Sequence, residues 1–171
     1  MFWKNSHQAS ADALPARIFV AGVMQGSLRE AVLHGQEYRQ ELVDLLEQHF
    51  PTAEVYDPLA SHRQSLNYDE RRGREVFFAH NAMCAEANLL IAYLPTASMG
   101  TAIEMWEAFR HGALVVSISA MEHNWAVKFL SHLRYPDIAG FADALARGEP
   151  QAAYLRERHR ASLFGKTDGN R

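Results

Sequence analysis

The strongest chemical signal in the chain is the stretch Pro95-Thr-Ala-Ser98-Met-Gly100-Thr101-Ala-Ile-Glu104. A carboxylate such as Glu104 can attack an electrophilic carbon or stabilise a developing cation. Backbone N–H groups at a helix start, here Gly100 and Thr101, can hold an anion. The apolar run Asn88–Leu94 just before reads as a buried strand, and Gly100-Thr101 opens a helix running to about His111. Glu104 therefore falls in the first turns of a helix at the carboxyl end of a strand, where open α/β sheets bind ligands. The helix N-terminus is expected to keep the carboxylate ionised. On position alone, Glu104 is equally well explained as an ordinary first-turn glutamate. With the helix started at Gly100, its expected buried stripe is Ala102, Met105, Trp106 and Phe109, which leaves Glu104 to one side.

The elements that must position these residues follow a regular pattern. Ile18-Phe19-Val20-Ala21-Gly22 is a short apolar strand, and the loop after it carries Gln25, Gly26, Ser27 and Arg29, residue types suited to phosphate. Apolar residues Tyr38, Leu42, Leu45, Leu46 and Phe50 recur at helical spacing, and Pro51 stops that helix. A second strand is expected at 53–56, a polar loop at 59–69 and a helix at 71–87. After the strand at 89–94 and the helix at 100–111, Gly112 suits a helix C-cap. A strand at 114–118, helices at 124–133 and 138–147, and a last strand somewhere near Leu133–Ile138 complete the pattern. Residues 1–16 read as a flexible leader, 17–149 as the folded domain, and 150–171 as a charged helical tail, disordered towards its end. Strands alternating with helices imply a parallel sheet with right-handed crossovers. The expected fold class is α/β, a flavodoxin-like three-layer sandwich with a four- or five-stranded parallel sheet.

Composition narrows the function classes. The chain has 171 residues, 48% hydrophobic and 22% charged, as in an ordinary globular protein. A formal net charge of −3 argues against a nucleic-acid polymer as partner. No apolar run approaches the ~18–20 residues that span a bilayer, so no membrane partner is expected. The N-terminus lacks the pattern of a signal peptide, and Cys84 is the only cysteine. Both point to a soluble, cytoplasmic protein, with Cys84 as core filler rather than a reactive thiol. The nine histidines include no HxxxH or HxH pair joined to a carboxylate, so no metal site is expected.

Phe19-Val-Ala-Gly22, the Ala87-Asn88-Leu-Leu-Ile-Ala strand start and Gly100-Thr-Ala-Ile-Glu104 occur in an order and spacing that resembles the nucleoside 2-deoxyribosyltransferase superfamily. The resemblance covers roughly residues 17–120 and implies a flavodoxin-like fold, a small nucleotide or nucleoside as partner, and no cofactor. It assigns Glu104 as the nucleophile on the sugar C1′. Ser98, six residues earlier, separates two branches: base-exchanging transferases commonly have aspartate there, and nucleoside 5′-monophosphate hydrolases a phosphate-binding serine. A carboxylate would repel the phosphate dianion, whereas a hydroxyl beside Gly100 and Thr101 accommodates it. Ser98 can equally be a helix cap. Phe19 stands where the branch hydrolysing CMP has phenylalanine, and it also suits a buried strand.

Two positions depart from the family pattern. An aspartate usual on the helix before the third strand is replaced by His80, which could do acid work near neutral pH or be structural. The usual Glu-x-Gly is Glu104-Met-Trp106, an indole that could reshape the pocket. Trp106 and Trp125 suit core or subunit contacts. In the family, the segment after the fourth strand often reaches a neighbouring subunit's pocket; here that is Glu122-His123-Asn124, which implies a homodimer or higher homo-oligomer. The expected activity is hydrolysis of the N-glycosidic bond of a nucleoside 5′-monophosphate. The alternatives are base exchange between nucleosides and an inactive nucleotide-binding module.

Overall fold

A computed structural model describes Trp3 and residues 14–24 and 35–164. Five strands, β1 (Arg17–Gly22), β2 (Glu54–Tyr56), β3 (Leu89–Tyr93), β4 (Leu114–Ile118) and β5 (Leu133–Tyr135), form one sheet in the order β2-β1-β3-β4-β5. Every pairing is parallel, with Phe19 beside Leu90, Gly22 beside Tyr93 and Tyr93 beside Ile118. Among the described residues, seven helices pack with them: α1 (Tyr38–His49), α2 (Pro58–Ser61), α3 (Glu70–Glu86), α4 (Met99–Arg110), α5 (Trp125–Leu130), α6 (Ile138–Ala146) and α7 (Glu149–Phe164).

Successive strand residues point to opposite faces, so the sheet builds two cores. Ile18, Val20, Ile91 and Val116 meet Leu42 and Leu46 of α1, Phe141 of α6 and Tyr154 of α7. Phe19, Ala21, Leu90 and Val115 meet Met83 and Cys84 of α3, Met105 of α4 and Val127 of α5. The result is the three-layer, flavodoxin-like α/β sandwich expected, with five strands. Trp3 is buried in the second core, edge-on to Tyr56; the rest of the leader as far as residue 13, and residues 165–171, lie outside the described residues.

Local chemistry sets the joints. Asp69, Ser98, Asn124 and Asp137 cap the N-termini of α3, α4, α5 and α6 through their side chains. Gly112 and Gly148, at φ 83° and 71°, turn the chain out of α4 and α6. The Asn88 Oδ1 accepts from the N–H groups of Ala16 and Arg17 at 3.1 and 3.0 Å, tying the start of β1 to that of β3.

Three expectations are corrected. The polar loop at 59–69 contains α2 and a 3-10 turn at Ser65–Asn67, because Asp57 caps the backbone of Leu59 and Pro58 takes the first helical position. The helix expected at 124–133 stops at Leu130, since β5 takes up 133–135. The buried stripe of α4 is Thr101, Met105 and Ala108, while Trp106 is 50% and Phe109 37% exposed. Apolar residues occur on both sides of this helix, so periodicity alone could select the wrong one. Among the described residues, no helix is long and apolar enough to cross a membrane.

Candidate functional site

The chain leaves β1 towards α1 on one face of the sheet and leaves β3 towards α4 on the other. That reversal opens a crevice above the adjacent carboxyl ends of β1 and β3, the usual ligand position in such sheets. A cavity of about 320 Å³ occupies it. Its walls are Gly22 at the end of β1, Arg39 of α1, Pro58 of α2, Phe77 and His80 of α3, and Ser98, Gly100, Thr101 and Glu104 around the start of α4. The structure thus brings together Glu104, His80, Ser98, Gly100, Thr101 and Gly22. Gln25, Gly26, Ser27 and Arg29 lie outside the described residues.

Glu104 sits in the second turn of α4, beyond the reach of most of the helix-end field, which fades within the first turn. Burial therefore dominates and pushes its pKa up to about 7, with Arg39 pulling the other way. The expectation that the helix end keeps this carboxylate fully ionised is corrected: near neutral pH it is poised between its two forms.

Ser98 caps α4. Its Oγ accepts from the Thr101 N–H at 3.3 Å and from the Thr101 hydroxyl at 3.0 Å. Neither bond uses the Ser98 proton, so the hydroxyl can cap the helix and still donate into the cavity. Gly100 has open space where a Cβ would project. A Cβ on Gly22 would collide with the Tyr38 hydroxyl, so glycine there lets α1 close over the end of β1.

His80 is buried, with Nε2 3.2 Å from the Tyr56 hydroxyl. Burial, then His62 and Arg39, lowers its pKa to about 4. A proton-donating imidazolium is therefore scarce at neutral pH, and His80 acts there as a neutral hydrogen-bonding ring. Phe19 does not reach the cavity: it is fully buried beneath it, 5.6 Å from the Tyr56 ring and 6.2 Å from that of His80. Asn124 lines an adjoining cavity of about 360 Å³ with Leu94 and Met121, and its Oδ1 accepts from the Ala126 and Val127 N–H groups. Ser98 and Met99 form the wall between the two spaces. Trp106 is half exposed and does not line the cavity.

Sequence reasoning missed Arg39 and Asp57. Arg39 is 2% exposed and pairs with Asp57 at 3.0 Å. Its guanidinium also donates to the carbonyls of Val20 and Gly22 at 3.1 and 3.3 Å and to Gln36 at 2.7 Å. These bonds fix a positive charge at the carboxyl end of β1, on the wall facing the cavity. Its spacing held a clue: Arg39, Leu42 and Leu46 share one helical stripe, and all three are buried. Among the described residues, no group of three or more His, Cys, Asp or Glu side chains could hold a metal ion.

No family model matches the chain, and no curated protein does. Among solved structures, the solution structure of BlsM aligns over 86% of this chain and 94% of its own at 19% identity, with a TM-score of 0.56. Clostridium botulinum CMP N-glycosidase, BcmB, aligns over 77% of this chain and 98% of its own at 18% identity and TM-score 0.46. A conserved protein from Enterococcus faecalis V583 aligns over 85% and 98% at 20% identity and TM-score 0.44. The likeness to BlsM is one of fold.

Proposed function

We propose that this chain is an N-glycosidase that hydrolyses a nucleoside 5′-monophosphate to free base and sugar phosphate. The observation that carries the reading is that Glu104 and the Ser98-capped N-terminus of α4 open into one cavity above β1 and β3. The 5′-phosphate takes hydrogen bonds from the Ser98 hydroxyl and from the exposed N–H groups at the start of α4. That leaves the sugar beside Glu104.

Cleavage sends the C1′–N electron pair onto the base and leaves positive charge on C1′ and the ring oxygen. Ionised Glu104 stabilises that charge or bonds to C1′; water then adds to the same carbon, and the proton it gives up ends on the base nitrogen that took the electron pair. Arg39 offsets the repulsion between Glu104 and the phosphate, because its charge is held at the same wall. Gly22 lets α1 close over the end of β1, which carries Arg39 to the cavity wall. No cofactor enters these steps. The same reading includes a homo-oligomer, and the exposed apolar residues Ile103 and Trp106 of α4 and Trp125 and Phe129 of α5, all more than 40% exposed, support it.

The deciding experiment is a chromatographic panel of nucleosides and nucleoside monophosphates, scored for released base with wild type and Glu104→Ala. The expected result is release from at least one monophosphate, lost in Glu104→Ala. Release by Glu104→Ala at the wild-type rate refutes the mechanism. Adding a second free base separates hydrolysis from base exchange, since only exchange yields a new nucleoside.

A further inference from the structure

A second chamber adjoins the candidate catalytic cavity, and Ser98 does not line it. It has a volume of about 230 Å³, shares Met24, Phe77 and His80 with the catalytic cavity, and is closed by His62, Leu66 and Tyr68. His80 and Phe77 border both spaces, whereas Ser98 and Glu104 line only the first and His62 and Tyr68 only the second. Resting on the reading above, we propose that the chamber between α3 and the 62–68 segment is the nucleobase site, with His62 and Tyr68 meeting the polar edge of the base and Phe77 its face.

The polar groups suit such a ligand. The His62 Nδ1 lies 3.0 Å from the Tyr68 hydroxyl, and its ring stands edge-on to His80 with centroids 5.1 Å apart. Nε2 of His62 has no hydrogen-bond partner among the described residues. If Tyr68 donates to Nδ1, Nε2 carries the proton and donates onward. In the other tautomer Nδ1 donates to Tyr68, Nε2 accepts, and the tyrosine proton is free. Either way the pair presents one donor and one acceptor, and the two can exchange places. A base edge carrying a carbonyl beside N–H and one carrying a ring nitrogen beside an amino group both match such a pair. Burial lowers the His62 pKa, which keeps the ring neutral for this role. Ring size is then set by Leu66, Val76 and Phe77, the apolar walls of the chamber. The cavity on the other side of Ser98 is a poorer host: its walls include Leu94, Ala102, Met121 and Val127, and its Asn124 Oδ1 is committed to capping α5.

The test is an NMR titration of the full chain with cytosine, uracil, adenine and hypoxanthine, and separately with ribose 5-phosphate. At least one free base is expected to shift the His62 and His80 ring resonances. Ribose 5-phosphate is expected to shift the Gly100 and Thr101 amides without moving His62. Leu66→Trp, which fills the chamber, should weaken base binding at least about tenfold and leave ribose 5-phosphate affinity within about twofold. Leu66→Ala, which enlarges it, should change the purine-to-pyrimidine ratio of affinities by about tenfold. The proposal is overturned if no base moves His62, if bases shift the Asn124 region instead, or if both Leu66 variants alter base and ribose 5-phosphate binding equally. Free bases need no turnover, so the result decides the chamber even if the chain proves not to hydrolyse nucleotides.

Discussion

Replacing Glu104 with Gln should change the pH dependence of stability in a defined way. In the folded chain the Glu104 pKa is about 7, against an ordinary 4.5 for the unfolded chain, because burial disfavours the charged form more than Arg39 favours it. The folded state therefore holds the proton more tightly than the unfolded one. That contribution is fully present below pH 4.5 and is lost as pH rises through about 7. At ~1.4 kcal/mol per pKa unit, and discounting for the solvent contact that Glu104 keeps at the cavity wall, the loss is about 2–3 kcal/mol. Glutamine keeps the size and never ionises. The stability of Glu104→Gln relative to wild type should therefore rise by about 2–3 kcal/mol between pH 4 and pH 8, with most of the change between pH 5 and 7. Urea unfolding at several pH values measures it, and titrations common to both proteins cancel in the difference. A difference that stays flat with pH, or that moves against the variant, refutes the assignment of Glu104 as a carboxyl held near neutrality by burial.

Three further outcomes follow from the same contacts. Arg39→Met should cost about 3–5 kcal/mol by leaving Asp57 without its buried partner, and adding Asp57→Asn should recover part of that in a thermal melt. Gly22→Ala should cost about 1–3 kcal/mol through the collision with the Tyr38 hydroxyl, and Tyr38→Phe in the same chain should recover at least half of it. Ser98→Ala should lose about 1 kcal/mol of helix capping and raise KM for a monophosphate but not for the matching nucleoside; Ser98→Asp should restore the stability and leave the monophosphate KM high.

The sheet was legible because its strands are short apolar runs separated by helical periods, and Leu89–Tyr93 and Leu114–Ile118 are covered on both faces. Ser98 and Glu104 were legible because a strand, a cap and a helix start fix where they fall. The charge state of Glu104 was not, because it depends on how deeply α3 and α4 close around it, which no local pattern encodes. Arg39 was hidden for a related reason: a charged residue on a buried stripe reads as surface until its partners, Asp57 and two β1 carbonyls, are brought in from other elements. Phe19 shows the converse. Its position in the strand was clear, but which side of the sheet it faced relative to the cavity was not. The place of His80 on α3 was legible, yet its neutral state follows from burial and then from His62 and Arg39, which come from other elements.

The central place of β1 has a consequence for how the chain is made. Its partner β3 lies roughly 70 residues further on, so at ~5–20 residues per second a nascent chain waits on the order of 3–14 s for that strand. Meanwhile β2 pairs only with Arg17, Ile18 and Phe19, leaving Val20, Ala21 and Gly22 with neither edge covered. An apolar β-forming run with open edges is a template for joining other chains. Yield from a growing cell should therefore depend on temperature and chaperone supply even where the finished protein is stable, since the vulnerable interval ends only when Asn88 arrives to clamp the start of β1.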